Sequence, residues 1–88
     1  MLKITEIAQN DSGRTFKLEG KLLGPWVDEL RNACTQALER LEQVSLDLAA
    51  VTFVNAAGAE LLRELMRQGI IITQCSAFVV ELLHGGQP

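Results

Sequence analysis

The chain has 88 residues, a net charge of −3 at pH 7 and 48% apolar residues, which fits one small globular domain with a modest core and excludes a disordered segment. Lysines and arginines are scattered among acidic residues, and the aromatics are only Phe16, Trp26, Phe53 and Phe78, so neither a basic stripe nor a base-stacking platform points to nucleic acid. The apolar runs fall well short of the roughly 20 residues that span a bilayer, and polar residues interrupt the N-terminal MLKITEIAQN, so direct membrane insertion and a signal peptide are not expected and the cytoplasm is the default location.

In chain order, Leu2 to Ala8 alternates apolar and polar residues as a strand does. Gln9 to Gly13 is dense in turn formers, and Arg14 to Gly20 alternates again, which predicts a hairpin. Gly24 to Leu41 predicts a helix whose apolar stripe is Trp26, Val27, Leu30, Ala33, Cys34, Ala37, Leu38 and Leu41. Pro25 suits the first helical position, and Asp28 and Glu29 lie near the positive end of the helix dipole. Gln43 to Val51 begins as a strand with Val44, Leu46 and Leu48 on one face. After the segment TFVNAA, Gly58 to Gly69 predicts a second helix with Leu61, Leu62, Leu65 and Met66 inward and Glu60, Arg63, Glu64, Arg67 and Gln68 in water. Gly69 is placed to end it in a left-handed conformation. Ile70 to Cys75, apolar at first and β-branched, reads as a central strand covered on both faces. Ser76 is placed to cap a last helix, Ala77 to His84, before a frayed GGQP. The order β-β-α-β-α-β-α predicts an α/β fold, a small mixed sheet with helices packed on it, in a single domain over 1–88.

The residues that carry chemistry elsewhere have plainer readings here. Cys34 and Cys75 sit among apolar neighbours and read as buried small hydrophobes. His84 is the one histidine, with no close Cys/His spacing, so no metal or cofactor is expected. Asp47, lone within strand alternation, reads as solvated or bonded to a nearby backbone N–H. Glu60 and Glu64 interleave with Arg63 and Arg67, which makes an ion-paired wet face rather than a pair of catalytic acids. Trp26 falls on the apolar stripe and reads as core. No Ser-His-Asp, Cys-His or phosphate-binding glycine pattern is visible, so an enzyme is the least supported class.

The junction Asn55-Ala56-Ala57-Gly58 has two readings. In the structural one, Asn55 caps the helix, the alanines favour its first turn, and Gly58 lets the turn pack closely against a neighbour. In the functional one, the junction carries recognition. The stretch VSLDLAAVTFVNAAGAELLRELMRQG resembles the central segment of the STAS domain family, named from sulfate transporters and anti-sigma factor antagonists. The matching parts are Leu46-Asp47-Leu48, then Val51-Thr52-Phe53-Val54, then Asn55-Ala56-Ala57-Gly58 against the family's Asp-Ser-Ser-Gly, then Leu61-Leu62. FKLEGKLLGPWVDELRNAC and TQCSAFVVELL resemble flanking parts, so the likeness covers nearly the whole chain; longer members add a C-terminal strand and helix.

The resemblance implies the STAS fold and a non-enzymatic, bacterial module that regulates transcription by binding an anti-sigma factor or related kinase-fold protein. It implies partner contacts at Asn55, Ala56, Ala57, Gly58, Glu60 and Arg63. In the family, the second Ser or Thr of the motif is phosphorylated by that partner, which breaks the complex by adding roughly −1.5 to −2 charge. Ala57 stands at that position and Asn55 at the family's Asp, so the usual switch cannot operate; Thr52 and Ser45 are poor substitutes. The alternatives are a cytosolic accessory subunit of a transporter and a small-ligand or nucleotide sensor, for which only Asn55 and Thr52 offer polar groups near the junction. A homodimer stays open.

Overall fold

A computed structural model describes the backbone of residues 2–9, 13–40 and 42–85. The elements are β1 (Leu2–Gln9), β2 (Gly13–Leu22), α1 (Pro25–Glu39), β3 (Gln43–Val54), α2 (Ala56–Arg67), β4 (Ile71–Cys75) and α3 (Ala77–Gly85), in the order the sequence predicts. The expectations for residues 10–12, Leu41, the His84 side chain and residues 86–88 lie outside what is described. The four strands form one sheet in sequence order. β1 and β2 pair antiparallel, while β2–β3 and β3–β4 pair parallel. Each parallel pair needs a crossover, and α1 and α2 supply them. Both crossovers step across the sheet in the same direction, so the usual right-handedness puts both helices on the same face.

Burial follows from that layering. Leu2, Phe16, Leu18, Leu22, Val44, Leu46 and Leu48 point under the helices and are buried. Val27, Leu30, Cys34 and Ala37 of α1 meet them, as do Ala59, Leu61, Leu62 and Leu65 of α2 and Val79 of α3. The alternate positions Lys17, Glu19, Ser45 and Asp47 are half-buried on the open face, where Lys3 and Lys21 are exposed. Trp26 is half-buried and packs against the edge of the core rather than within it. Met66, expected inward, is 39% exposed. Leu61, Leu62 and Leu65 already fill the stripe with Ala59, and position 66 falls at its margin.

Two boundaries differ from expectation. β3 does not stop at Val51 but runs to Val54. It carries two register shifts against β2, between its pairings with Lys17 and Glu19 and between those with Gly20 and Lys21. Each inserts one extra residue in β3, which moves the inward set from Val44, Leu46 and Leu48 to Val51 and then to Val54. The Asp47 carboxylate holds the first bulge by accepting the Ala49 N–H at 3.0 Å. At the second, the inserted Thr52 donates its hydroxyl to the Gly20 carbonyl at 3.2 Å. β4 repeats the device, its inserted Thr73 donating to the Leu46 carbonyl at 3.2 Å.

The second difference is β4 itself. It is an edge strand, with Ile71, Thr73 and Gln74 exposed and only Ile72 and Cys75 half-buried. Three consecutive isoleucines carry no parity, so the sequence could not show that they divide. Ile70 is buried in the turn before the strand, Ile72 faces the core and Ile71 faces water. Gly69, with φ +97°, ends α2 in the left-handed region as expected, and the Ile70 N–H then reaches the Leu65 carbonyl at 3.0 Å. An ion-paired clamp unseen in the sequence ties the hairpin down: Arg14 meets Glu6 at 3.4 Å and Glu42 at 3.1 Å.

Truncating Leu65, 2% exposed, to Ala is expected to destabilise the domain by about 2–5 kcal/mol, while Arg67→Ala changes it by no more than about 0.5 kcal/mol. Urea titration of both variants checks the facing of α2. Burial pushes the Cys34 thiol up to about 11 and the Cys75 thiol up in the same direction. A raised native pKa favours the protonated thiol. The Cys34 contribution to stability is therefore fully present below pH 9 and is lost as the pH rises through about 11. Melts from pH 8 to 11 should show that decline, and Cys34→Ala should flatten it. A thiol reagent at pH 8 should modify Cys75 before Cys34.

Candidate functional site

The strand-to-helix junction is built by one carbonyl and one missing side chain. Leu22 ends β2 beside Val54 of β3, and its carbonyl accepts the Asn55 N–H at 3.2 Å. Asn55 is extended there (φ −83°, ψ −179°), and its side-chain oxygen accepts the Gly58 N–H at 2.8 Å, so it caps α2 as the sequence predicts. Gly58 is buried under the turn. A methyl group on it would lie 2.9 Å from the Leu22 carbonyl oxygen, 2.9 Å from Val54 Cγ1 and 3.0 Å from Leu22 Cγ. Only hydrogen fits.

Because Gly58 and Ala59 face inward, Ala56 and Ala57 face out, and both are exposed. Phe53, two residues before Asn55 in β3, and Phe78 of α3 are each 41% exposed and stack on one another, ring centroids 6.2 Å apart and planes 22° from parallel. α3 reaches this position because β4 ends early: Cys75 pairs with Leu48, so β3 continues past it. The Ser76 hydroxyl bridges the gap, donating to the Val51 carbonyl at 3.1 Å and accepting the Val79 N–H at 3.3 Å. That is the predicted cap of α3 with a second task added.

The predicted site residues therefore share the first two turns of α2, though not one environment. Asn55 is half-buried and Gly58 buried, while Ala56, Ala57 and Glu60 are exposed. Arg63, expected in water, is half-buried: it pairs with Glu60 at 3.8 Å and its Nη2 donates to the Leu82 carbonyl of α3 at 3.5 Å. Glu64 and Arg67 pair at 3.7 Å in water, where such pairs contribute about 0–1 kcal/mol. The hydroxyls nearest the junction are engaged, Thr52 with β2 and Ser76 with β3. Among the described residues no three His, Cys, Asp or Glu side chains gather to hold a metal ion.

Sequence reasoning missed Phe53 and Phe78. Phe53 is two residues from buried Val51, so simple alternation turns it inward; the Thr52 bulge turns it out. Phe78 lies within the apolar run AFVV, where the helical period alone does not choose between it and buried Val79. What results is an exposed aromatic pair at the carboxyl ends of parallel strands, with exposed Lys21 as the cross-strand neighbour of Phe53, at the end where open α/β sheets usually bind.

The family model of the STAS domain matches residues 5–83. Among solved structures, the anti-sigma factor antagonist SpoIIAA in its unphosphorylated form is similar with a TM-score of 0.74 and 15% identity, over 98% of this chain and 84% of that one. An antisigma-factor antagonist STAS domain from Rhodobacter sphaeroides is similar with a TM-score of 0.56 and 15% identity, over 89% of each chain. At that identity the likeness is one of fold. No curated protein sequence matches the chain.

Gly58→Ala sets a gain of about 1 kcal/mol in helix propensity against overpacking of about 1–3 kcal/mol. The crowding atoms include backbone, which cannot swing aside, so the overpacking falls in the upper part of that range, about 2–3 kcal/mol, and a net loss of about 1–2 kcal/mol is expected. Asn55→Ala is expected to lose about 0.5–2 kcal/mol with the cap. Chemical denaturation of the two variants decides; a Gly58→Ala variant as stable as the parent would contradict the close approach.

Proposed function

The chain belongs to the STAS domain family, and from that premise we propose that it is a non-enzymatic protein-interaction module of the anti-sigma factor antagonist kind. Its partner is an anti-sigma factor or a related kinase-fold protein, docked on the start of α2. The observation that carries this reading is the exposed, uncharged step Ala56–Ala57 at the start of α2, close in sequence to Phe53 of the exposed, stacked Phe53–Phe78 pair. An exposed aromatic pair next to small residues offers large apolar contact at little entropic cost, and interface centres are enriched in aromatics and depleted in charge. Glu60 and Arg63 supply a polar rim one turn further along. Asn55 and Gly58 act from beneath by setting the height and direction of the turn.

The phosphorylation switch that the family resemblance implies has no acceptor here. Ala57 occupies the acceptor position, and Thr52 and Ser76 already donate to backbone carbonyls. The module therefore engages its partner without that switch.

Ala57→Asp tests both the site and its logic. A carboxylate in the first turn of a helix is favourable by about 0.3–1 kcal/mol. Buried unpaired at an apolar interface, it costs about 2–5 kcal/mol. The melting curve should stay in place while affinity for an anti-sigma factor of the same cell falls by more than about tenfold. Phe78→Ala should weaken the same titration. Unchanged affinity in both variants would move the docking site elsewhere. Incubation with that kinase and ATP, followed by mass spectrometry, should find no added phosphate; stoichiometric phosphate on Thr52 or Ser45 would restore a switch.

A further inference from the structure

A cavity of about 220 Å³ opens between β1 and the first turn of α1, lined by Leu2, Ile4, Trp26 and Glu29. It lies at the antiparallel edge of the sheet, on elements that the proposed docking surface does not use. Leu2 and Ile4 line it together because they alternate onto one face of β1. Trp26 is the one tryptophan of the chain, and with Leu2 and Ile4 it forms an apolar wall continuous with the core. Glu29 follows Trp26 by three residues, hence on the same side of α1, and is exposed at the mouth.

Among the described residues Glu29 has no cation partner. The positions one turn away are Pro25, Trp26, Asn32 and Ala33, and among the described residues no ion pair engages it. The cavity thus joins an indole, two aliphatic side chains and a carboxylate that no ion pair engages among the described residues. An indole attracts cations electrostatically, aliphatic walls shed water from an apolar stem, and a carboxylate rejects anions. The volume is below the roughly 300–1,000 Å³ of sites for drug-sized ligands, which leaves room for a head group and not for a nucleotide. We infer that this cavity binds a compact organic cation, a quaternary ammonium or guanidinium group on a short apolar stem.

The single tryptophan reports on the site directly. Choline, N-acetylarginine amide and the uncharged choline isostere 3,3-dimethylbutanol are titrated against the full chain while Trp26 emission is followed. At least one cation should give a saturable shift in the millimolar range, and the isostere should bind at least about fivefold more weakly. A tighter arginine derivative assigns the site to a protein side chain, and tighter choline to a free quaternary ammonium. Glu29→Gln, at an exposed position that leaves the fold intact, should weaken the cation about fivefold or more and leave the isostere unchanged. Absence of saturation by either cation up to about 100 mM, equal binding of the isostere, or indifference to Glu29→Gln would each overturn the inference.

Discussion

The close approach of α2 to the end of β2 governs the junction between β3 and α2. The Leu22 carbonyl accepts the Asn55 N–H and lies where any side chain on Gly58 would have to go. One oxygen thus fixes the level at which the chain leaves β3 and the depth to which the helix settles. The rest follows from helical geometry. With Gly58, Ala59, Leu61, Leu62 and Leu65 inward, Ala56 and Ala57 have no direction left but outward. Two alanines there keep the backbone near the surface, where a partner can approach it.

The strands reach that geometry through irregularities, and each is held by a polar side chain. Asp47 accepts the Ala49 N–H, and the inserted Thr52 and Thr73 donate to carbonyls of neighbouring strands. A bulge leaves backbone groups without ladder partners, and a short polar side chain at the bulge satisfies one of them. The short polar residues of β3 and β4 thus belong to the construction of the sheet. Ser76 does the same where β4 stops, and so brings α3 and its Phe78 up to Phe53.

Those irregularities also mark where the sequence was legible and where it was not. Element order, the Asn55 and Ser76 caps, Pro25 at the start of α1 and Gly69 after α2 were readable, because each depends on local chemistry that one residue announces. The inward faces of α1 and α2 were readable from the 3.6-residue period, apart from Met66 at the margin. The position of β4 was not, since strand neighbours are a long-range property and three isoleucines carry no parity. The aromatic pair was not, since a one-residue bulge inverts every later side chain and leaves no mark in composition. Arg63 was misjudged for a related reason: its partner carbonyl at Leu82 belongs to a helix 19 residues away.

On the proposed function the same helix start serves stability and recognition, and the two are separated by face rather than by position. Asn55 and Gly58 are fixed by the atoms beneath them, so changes there act through folding. Ala56 and Ala57 are exposed, so side chains at either place point towards water. Serine at 57 would extend into water and tax the helix only slightly, by a few tenths of a kcal/mol. Packing therefore supplies no reason for the missing hydroxyl, and neither does the cap, which Asn55 completes alone. On the proposed function a physical account lies in the surface itself: a methyl group at position 57 extends an apolar contact, whereas a hydroxyl buried by a partner needs a hydrogen bond or costs about 1–3 kcal/mol. A docking surface that carries no modification has every reason to exclude that hydroxyl.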